Sequence, residues 1–161
     1  MGAERGRPRS AARVALADDA EVVRELFREY AATLGYHAAY LGAFEEEVAA
    51  LPAGYDFVLV AELGGCVAVR DLGDGVCEMK RLFVRPSARG SGTGRALALA
   101  AIDRARDRGF TVMRLDTLPT MAEAVALYSS LGFVEVERYN DNPAPGVRFM
   151  ERDLRLPRGG T

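Results

Sequence analysis

The chain has 161 residues, 49% of them hydrophobic, with 21 basic and 23 acidic side chains and a formal charge of −2. This composition is typical of one globular domain; it excludes a disordered chain and argues against a protein built mainly to hold nucleic acid. One histidine and two cysteines exclude a histidine-rich zinc site and disfavour a disulfide-stapled secreted fold. No apolar run approaches the roughly 20 residues of a membrane helix, and the first residues lack a signal peptide's apolar core, so we expect a cytoplasmic protein without a membrane partner.

The two ends of the chain differ in composition from the rest. Residues 1–11 carry three arginines among glycine, proline and serine, which predicts a flexible basic N-terminal arm. Such an arm could touch a phosphate backbone, so a nucleic-acid- or ribosome-associated module is one alternative, although we expect no nucleic-acid partner. Residues 12–155 are predicted to form a single domain, and residues 156–161 a flexible tail.

The domain is predicted to begin with a strand and a helix. A strand over 12–16 precedes a helix that Asp18 or Asp19 caps and that Gly35 ends. Apolar side chains at a spacing of four are expected to form the buried stripe of this helix: Val22, Leu26, Tyr30 and Leu34.

A second, shorter helix is predicted over 43–51, with the consecutive glutamates 45–47 largely on its solvated face. Three strands joined by glycine turns follow and form an antiparallel meander: 56–63, 66–72 and 76–84. Cys66 and Cys77 fall on neighbouring strands out of register, so we interpret both as small buried hydrophobic residues.

The second half of the chain alternates helices and strands. Its elements are, in order, a helix over 94–108, a strand over 111–116, a helix from Pro119 to Leu131, and strands over 133–138 and 147–154 joined by the loop 140–146. The inward side chains of the first of these helices are expected to be Leu97, Ala101, Ile102 and Ala105. The whole order predicts an α/β (α+β) fold with a mixed, mostly antiparallel sheet of six or seven strands flanked by helices.

The strongest chemical motif is a glycine-rich turn between the strand 76–84 and the helix 94–108: Arg89-Gly90-Ser91-Gly92-Thr93-Gly94. Its glycines let a ligand approach the backbone, and the helix that follows attracts an anion with its free N–H groups and its dipole. Arg85, Arg89 and Arg95 add a local cluster of positive charge that suits a cofactor's phosphates. The turn lacks the lysine of a P-loop, and Arg95 stands where a Rossmann fingerprint needs glycine. From this motif alone, a glycine turn without a ligand is the alternative.

Two segments together resemble the GNAT family of N-acetyltransferases. The strand Glu78–Pro86 followed by Arg89-x-x-Gly92-x-Gly94 resembles the family's acetyl-CoA-binding core, whose signature is [R/Q]-x-x-G-x-[G/A] after a strand. A later segment resembles the family's A-x-x-L-Y and L-G-F pattern: Ala124, Leu127 and Tyr128, then Leu131, Gly132 and Phe133. The spacing of the two segments and the element order match that family over residues 12–155.

The resemblance implies a binding mode for acetyl-CoA. Backbone groups of Leu82, Phe83 and Val84 would contact the pantetheine arm, and the thioester would lie where the strands 76–84 and 111–117 splay apart. The pyrophosphate would bind the glycine turn and its flanking residues: Arg89, Gly90, Ser91, Gly92, Thr93, Gly94 and Arg95. Met121 stands where the family often has asparagine, so one pantetheine contact is missing or comes from Thr117 or Thr120.

The resemblance also implies direct attack of an amine on the thioester, which needs no metal and no covalent nucleophile. Only about one part in a thousand of an alkylamine is neutral at pH 7, so a group must accept its proton. Glu78 is the candidate base, acting through a water; a polar residue that faces solvent is the alternative interpretation. Tyr128 is the candidate partner of the leaving thiolate, and aromatic packing under a helix is its alternative. The oxyanion is expected to take a backbone N–H near Leu82 and Phe83.

The sequence indicates the binding site of the acceptor amine less clearly than that of the cofactor. Candidate contacts are Tyr30, His37, Lys80, Arg81, Asp116, Thr117 and the loop 140–146. Lys80 and Arg81 could bind an acceptor carboxylate, or could belong to a solvated strand face. We expect a small amine such as an amino acid, with a protein or peptide amine second, and a monomer or homodimer. A non-catalytic acyl-CoA-binding sensor is the alternative function.

Overall fold

The computed structural model describes residues 13–34, 38–118 and 121–157. The predicted basic arm, Gly35, His37, Pro119 and Thr120 lie outside these ranges. Within them, no helix is long and apolar enough to cross a membrane.

A seven-stranded sheet forms the centre of the described fold, with the strand order β1-β2-β3-β4-β5-β7-β6. The strands are β1 Val14–Leu16, β2 Phe57–Ala61, β3 Gly65–Gly73, β4 Val76–Val84, β5 Val112–Thr117, β6 Val134–Val136 and β7 Arg148–Asp153. Neighbouring strands are antiparallel except β4 and β5, which run parallel. The mixed, mostly antiparallel sheet predicted from the element order is therefore confirmed.

Four helices cover both faces of the sheet: α1 Ala20–Leu34, α2 Ala38–Ala50, α3 Thr93–Asp107 and α4 Ala122–Ser130. Helices α3 and α4 share one core with Phe57 and Leu59 of β2. Helices α1 and α2 share a second core with Val58, which lies between those two residues in the strand. Because successive residues of a strand point to opposite faces, both faces of β2 are buried and its sequence is a continuous apolar run.

Helix α1 begins as predicted but buries a different stripe. The carboxylate of Asp19 accepts the Glu21 N–H at 2.9 Å, which satisfies a free donor of the first turn. Val22 is 42% exposed, whereas Val23 and Phe27 are buried. A spacing of four residues drifts by about 40° per step around a helix of 3.6 residues per turn, so a stripe that faces the sheet must alternate steps of three and four.

Helix α2 begins earlier than predicted, and one of its glutamates does not face only solvent. Glu45 and Glu46 are exposed. Glu47 lies 2.6 Å from the Arg81 guanidinium and also accepts a hydrogen bond from the Tyr55 hydroxyl. The prediction of a solvated glutamate face is thus wrong for Glu47, because a cation on β4 reaches the helix from the sheet.

Candidate active site

The parallel strands β4 and β5 separate soon after they begin. Their paired residues are Val76 with Val112, Cys77 with Met113, and Glu78 with Arg114. Beyond Glu78, β4 continues to Val84 and β5 to Thr117 with no further pair between them among the described residues. The later half of β4 therefore has main-chain groups without a strand partner on this side, and the two strands separate as the resemblance to the family implies.

A bulge bends β4 in this opening. Cys66 of β3 pairs with Phe83, and two residues later Ala68 pairs with Lys80, so β4 holds an extra residue. The bulge contains Arg81, whose φ is 60°. The Arg81 guanidinium contacts Glu47 and lies over the Phe44 ring. A bulge increases the local twist of a strand, which turns the end of β4 away from β5. Arg81 faces α2, so it is not placed to bind an acceptor beside Glu78.

The glycine turn leads into α3, and no side chain caps the free backbone N–H groups at the start of this helix. Gly90 and Gly92 have positive φ values of 77° and 81°, and Gly92 is the N-cap residue without a side-chain cap bond. The first helical bond is from the Ala96 N–H to the Gly92 carbonyl at 3.0 Å. The Ser91 hydroxyl binds the Ala88 carbonyl and lies 2.6 Å from the buried Thr93 hydroxyl, so these side chains hold the turn. The first N–H groups of α3 are left as an anion-binding site.

The three arginines near this turn do not act together. Arg89 is exposed and donates to the Val84 carbonyl at 3.2 Å, and the exposed Arg95 donates to the Ser130 hydroxyl at 3.1 Å. Arg85 instead lies 2.8 Å from Glu29 of α1. The predicted cluster of three is therefore wrong for Arg85, whose charge is neutralised on the opposite side of the sheet.

Tyr128 lies on the last turn of α4, beside the first turn of α3. Leu127 would be in van der Waals contact with a side chain at Gly94, and Ser130 accepts from Arg95. The Tyr128 ring packs 5.8 Å from Phe133, and burial, with a smaller contribution from Asp116, raises the pKa of its hydroxyl. Tyr128 is thus a buried residue of the core that stays protonated and can donate a hydrogen bond.

Glu78 has no exposed surface and is surrounded by donors. Its Oε1 lies 2.6 Å from Arg70 and 3.6 Å from the Lys80 ammonium. Its Oε2 accepts from the Tyr139 hydroxyl at 2.5 Å and from Asn140 at 3.3 Å. The alternative that Glu78 faces solvent is wrong, because cations and the segment after β6 cover it.

Asn140 joins Glu78 to a second carboxylate. Its amide also donates to Asp116 Oδ2 at 2.8 Å, and Asn142 donates to the same oxygen at 3.3 Å. The loop 140–146 and Asp116 therefore meet beside Glu78. Thr117, the next residue of β5, is buried and points to the opposite face of the sheet.

The remaining predicted acceptor contacts fall near the same opening. Tyr30 of α1 packs 5.8 Å from Phe83 of β4. Lys80 is brought against Glu78, as described above. Among the described residues, no group of three histidine, cysteine, aspartate or glutamate side chains is arranged to hold a metal ion.

Arg70 and Tyr139 are site residues that the sequence interpretation missed. Arg70 pairs with Glu78 across the β3–β4 hairpin. The turn alone does not place Arg70 opposite Glu78, because an irregularity between Asp71 and Gly73 shifts the register by one residue. Tyr139 lies three residues beyond β6, and no local pattern indicates that it reaches β4.

Comparison with known proteins places this site in a family. The model of the Acetyltransferase (GNAT) family matches residues 20–133. An uncharacterized N-acetyltransferase of Schizosaccharomyces pombe is 37% identical over 150 residues, which are 88% of this chain and 92% of the relative.

Solved structures show the same fold at lower identity. A GNAT-family acetyltransferase from Staphylococcus aureus has a TM-score of 0.72 at 18% identity, and covers 89% of this chain and 99% of its own. The PaiA N-acetyltransferase of Thermoplasma acidophilum, solved in complex with coenzyme A, has a TM-score of 0.68 at 18% identity with the same coverage. Together, the family model, the relative and the fold establish that the chain belongs to the GNAT family of acetyltransferases.

Proposed function

We propose that the chain moves an acetyl group from acetyl-CoA to the primary amine of a small molecule by direct attack on the thioester. As a GNAT member the chain is an acetyl-CoA-dependent N-acetyltransferase. The observation that carries the mechanism is the opening between β4 and β5 with Glu78 at its apex. An acyl group and an amine can meet there beside a carboxylate.

The cofactor would lie along the end of β4 and over the start of α3. The backbone of Leu82, Phe83 and Val84 has no strand partner on the β5 side, which suits the amides of a pantetheine arm. The N–H groups from Gly90 to Arg95 suit the pyrophosphate, since a helix N-terminus attracts negative charge. Arg89 and Arg95, both exposed, can turn toward the phosphates.

Glu78 would act as the general base. An alkylammonium with an ordinary pKa near 10 must lose one proton before its nitrogen can attack, and the nitrogen must lose a second proton once it is bonded to the acyl carbon. Glu78 is the last residue of β4 that pairs with β5, so its carboxylate lies where the thioester is expected. The carbonyl oxygen would take a backbone N–H near Leu82 and Phe83 as its charge develops.

Tyr128 would stabilise the leaving thiolate. Because its pKa is raised by burial, the hydroxyl is a hydrogen-bond donor at working pH and does not transfer its proton fully to a thiol of pKa near 8.5. A hydrogen bond to a charged group contributes about 1.5–3 kcal/mol.

An acceptor that carries a carboxylate next to its amine fits the charges around Glu78. The Arg70 side chain is 41% exposed and that of Lys80 is 18% exposed, so both cations that contact Glu78 keep surface that a bound acceptor could meet. An amino acid could place its ammonium toward Glu78 and its carboxylate toward Arg70 and Lys80. This pairing supports an amino-acid-like acceptor over an uncharged amine.

A screen of amines for acetyl-CoA-dependent thiol release tests the proposal. We expect amino acids to be acetylated faster than amines that lack a carboxylate.

Glu78→Gln should lower kcat by 10²- to 10⁴-fold, the usual range for a lost general base. Tyr128→Phe should lower kcat by roughly 10- to 100-fold, the equivalent of one charge-assisted hydrogen bond. Glu46→Gln, a change at an exposed glutamate of α2, is the matched control and should leave kcat unchanged.

Two results would contradict the proposal. If the folded Glu78→Gln and Tyr128→Phe variants keep the kcat of the wild type, these two residues do not have the catalytic roles assigned to them. No acetylation of any free amine or peptide, with coenzyme A still bound, would favour the acyl-CoA sensor instead.

A further inference from the structure

Glu78 is too deeply buried to take a proton from an acceptor by itself. Its exposed fraction is 0%, so an ammonium in the opening cannot contact its oxygens directly. Some neighbouring group must connect the acceptor nitrogen to the carboxylate. The inference below rests on the proposed function, because it concerns the path of the proton in amine acetylation.

The side chains around Glu78 differ in whether they can pass a proton. Arg70 and Lys80 are cations that donate hydrogen bonds and accept none, and an amide N–H such as that of Asn140 is also only a donor. A phenol both donates and accepts. Tyr139 is therefore the contact of Glu78, among the described residues, that can receive one proton as it releases another.

The position of Tyr139 fits this function. It is partly exposed, and its hydroxyl lies 2.5 Å from Glu78 Oε2. Its ring is fixed by an edge-on contact with Phe149 at 5.3 Å and by the Arg114 guanidinium, 5.4 Å above it. The hydroxyl thus touches the buried carboxylate, and the residue as a whole keeps some exposed surface, as a relay between Glu78 and a bound acceptor requires.

Asn140 holds the segment around Tyr139 in place beside Glu78. It donates to both Glu78 and Asp116, and its side-chain oxygen accepts the Asn142 N–H at 3.0 Å. These bonds tie the segment that carries Tyr139 to β4 and to β5. Asn140 is a positioning residue in this scheme.

We propose that Tyr139 is a catalytic residue that relays the proton from the acceptor nitrogen to Glu78. An N–H bond of the acceptor ammonium breaks, and that proton joins the Tyr139 oxygen. The Tyr139 O–H bond breaks at the same time, and its proton joins Glu78 Oε2. The nitrogen keeps the electron pair and bonds to the thioester carbon, and the C–S bond breaks. A second N–H bond of the attached nitrogen then breaks, and that proton joins the departing thiolate, so the amide forms and coenzyme A leaves as the thiol. After the product leaves, Tyr139 gives a proton to water and takes up the proton of Glu78, so one proton reaches solvent in each turnover and no oxidant or further reactant takes part.

The electrostatic surroundings keep Tyr139 neutral throughout. Burial, followed by the hydrogen bond to Glu78, raises the pKa of its hydroxyl, so the resting phenol carries its proton. The charged groups that face it or its partners are Lys80 on β4, Arg70 on β3, Arg114 and Asp116 on β5, and Glu151 on β7. A Tyr139→Phe variant keeps all of these groups together with the ring contacts, so it removes only the relay oxygen.

The pH dependence of Tyr139→Phe tests the relay. With the best amine of the screen, kcat should fall by at least 100-fold at pH 7, while KM for acetyl-CoA is unchanged. The loss should shrink steadily up to pH 9.5, because the neutral fraction of an alkylamine rises as pH approaches its pKa near 10 and less proton removal is needed. In the double variant with Glu78→Gln, the loss should not exceed that of Glu78→Gln alone, because the two groups act in one path.

Tyr55→Phe is the matched control. The Tyr55 hydroxyl also donates to a glutamate, Glu47, and its ring also packs edge-on against a phenylalanine, Phe27. We expect this variant to show no pH-dependent change in kcat. A loss in Tyr139→Phe that is the same at every pH, or no loss, overturns the relay while wild-type acetylation leaves the proposed function standing. A wild-type chain that acetylates no amine overturns the proposed function and the relay with it.

Discussion

Glu78 is a carboxylate without solvent exposure, and its contacts explain how the fold tolerates it. An unpaired buried charge costs several kcal/mol, but here Arg70 and Lys80 face one oxygen and Tyr139 and Asn140 face the other. Removal of one partner leaves the others buried around an incompletely satisfied charge. We therefore regard conservative changes that keep shape, such as Tyr139→Phe, as the informative ones at this site.

The two cysteines lead to a prediction at the same scale. Cys66 and Cys77 are fully buried, and burial raises the pKa of each thiol to about 12. At pH 8 only about one part in ten thousand would be thiolate, the form that reacts with disulfide reagents. We expect no labelling of the native chain on the time scale of a thiol-release assay, and labelling of both thiols after unfolding in guanidinium.

Rapid labelling of one thiol in the native chain would contradict this prediction. The two cysteines are confirmed as buried and free, as the sequence predicted. Their register also agrees, since Cys66 pairs with Phe83 and Cys77 with Asp71.

At the scale of one element, the start of α3 depends on a backbone conformation that glycine supplies. Gly92 has a φ of 81° and lies where the chain turns from the loop into the helix. A Cβ atom there would meet open space, so the cost of a side chain is conformational, about 1–2 kcal/mol. The motif is thus needed for the turn itself as well as for approach of a ligand.

Gly92→Ala and Gly109→Ala separate these two requirements. Gly109, just after α3, has a φ of 93° and equally open surroundings. Both variants should lose about 1–2 kcal/mol of unfolding free energy by denaturant titration. Gly92→Ala alone should also raise KM for acetyl-CoA, because it shifts the N–H groups proposed to bind the pyrophosphate. Equal KM values in the two variants would argue against that binding site.

Helix α1 shows how far an element can be predicted from a repeat. Its start follows from Asp19, whose carboxylate caps the first turn as local chemistry requires. Its buried face does not follow from a spacing of four, because contact with the sheet selects Val23 and Phe27 over Val22. Strand β6 is likewise shorter than predicted, since its bounds depend on pairing with β7.

At the scale of the whole molecule, two helical layers enclose one sheet, and the site lies where that sheet opens. The sheet opens because β4 and β5 form its parallel pair and stop pairing after Glu78 and Arg114. Helices α1 and α2 cover one part of the face that carries Glu78, and the segment after β6 covers another. We propose that the acceptor binds between these two covers.

Coenzyme A should stabilise the whole fold if this opening holds it. At a concentration 100 times its Kd, a ligand of the native state adds about 2.7 kcal/mol, or roughly 5–10 °C in Tm for a domain of this size. We expect a variant that lacks residues 1–11 to show the same shift by thermal denaturation, because the proposed cofactor contacts all lie beyond residue 80. A smaller shift after the deletion would show that the basic arm takes part in cofactor binding.

Two motifs of the sequence resemble the GNAT family, to which the chain belongs. The sequence by itself also determined the order of the elements and a glycine turn of a kind that suits a cofactor's phosphates. These depend on local signals: hydrophobic periodicity, helix caps, and glycines at fixed spacing before a helix. Only the tertiary structure decided that Glu78 is buried, that Arg85 pairs with α1, and that Tyr139 contacts β4. Each of these contacts joins residues far apart in the chain, and the energy that selects them comes from sheet pairing and side-chain packing, which no local pattern encodes.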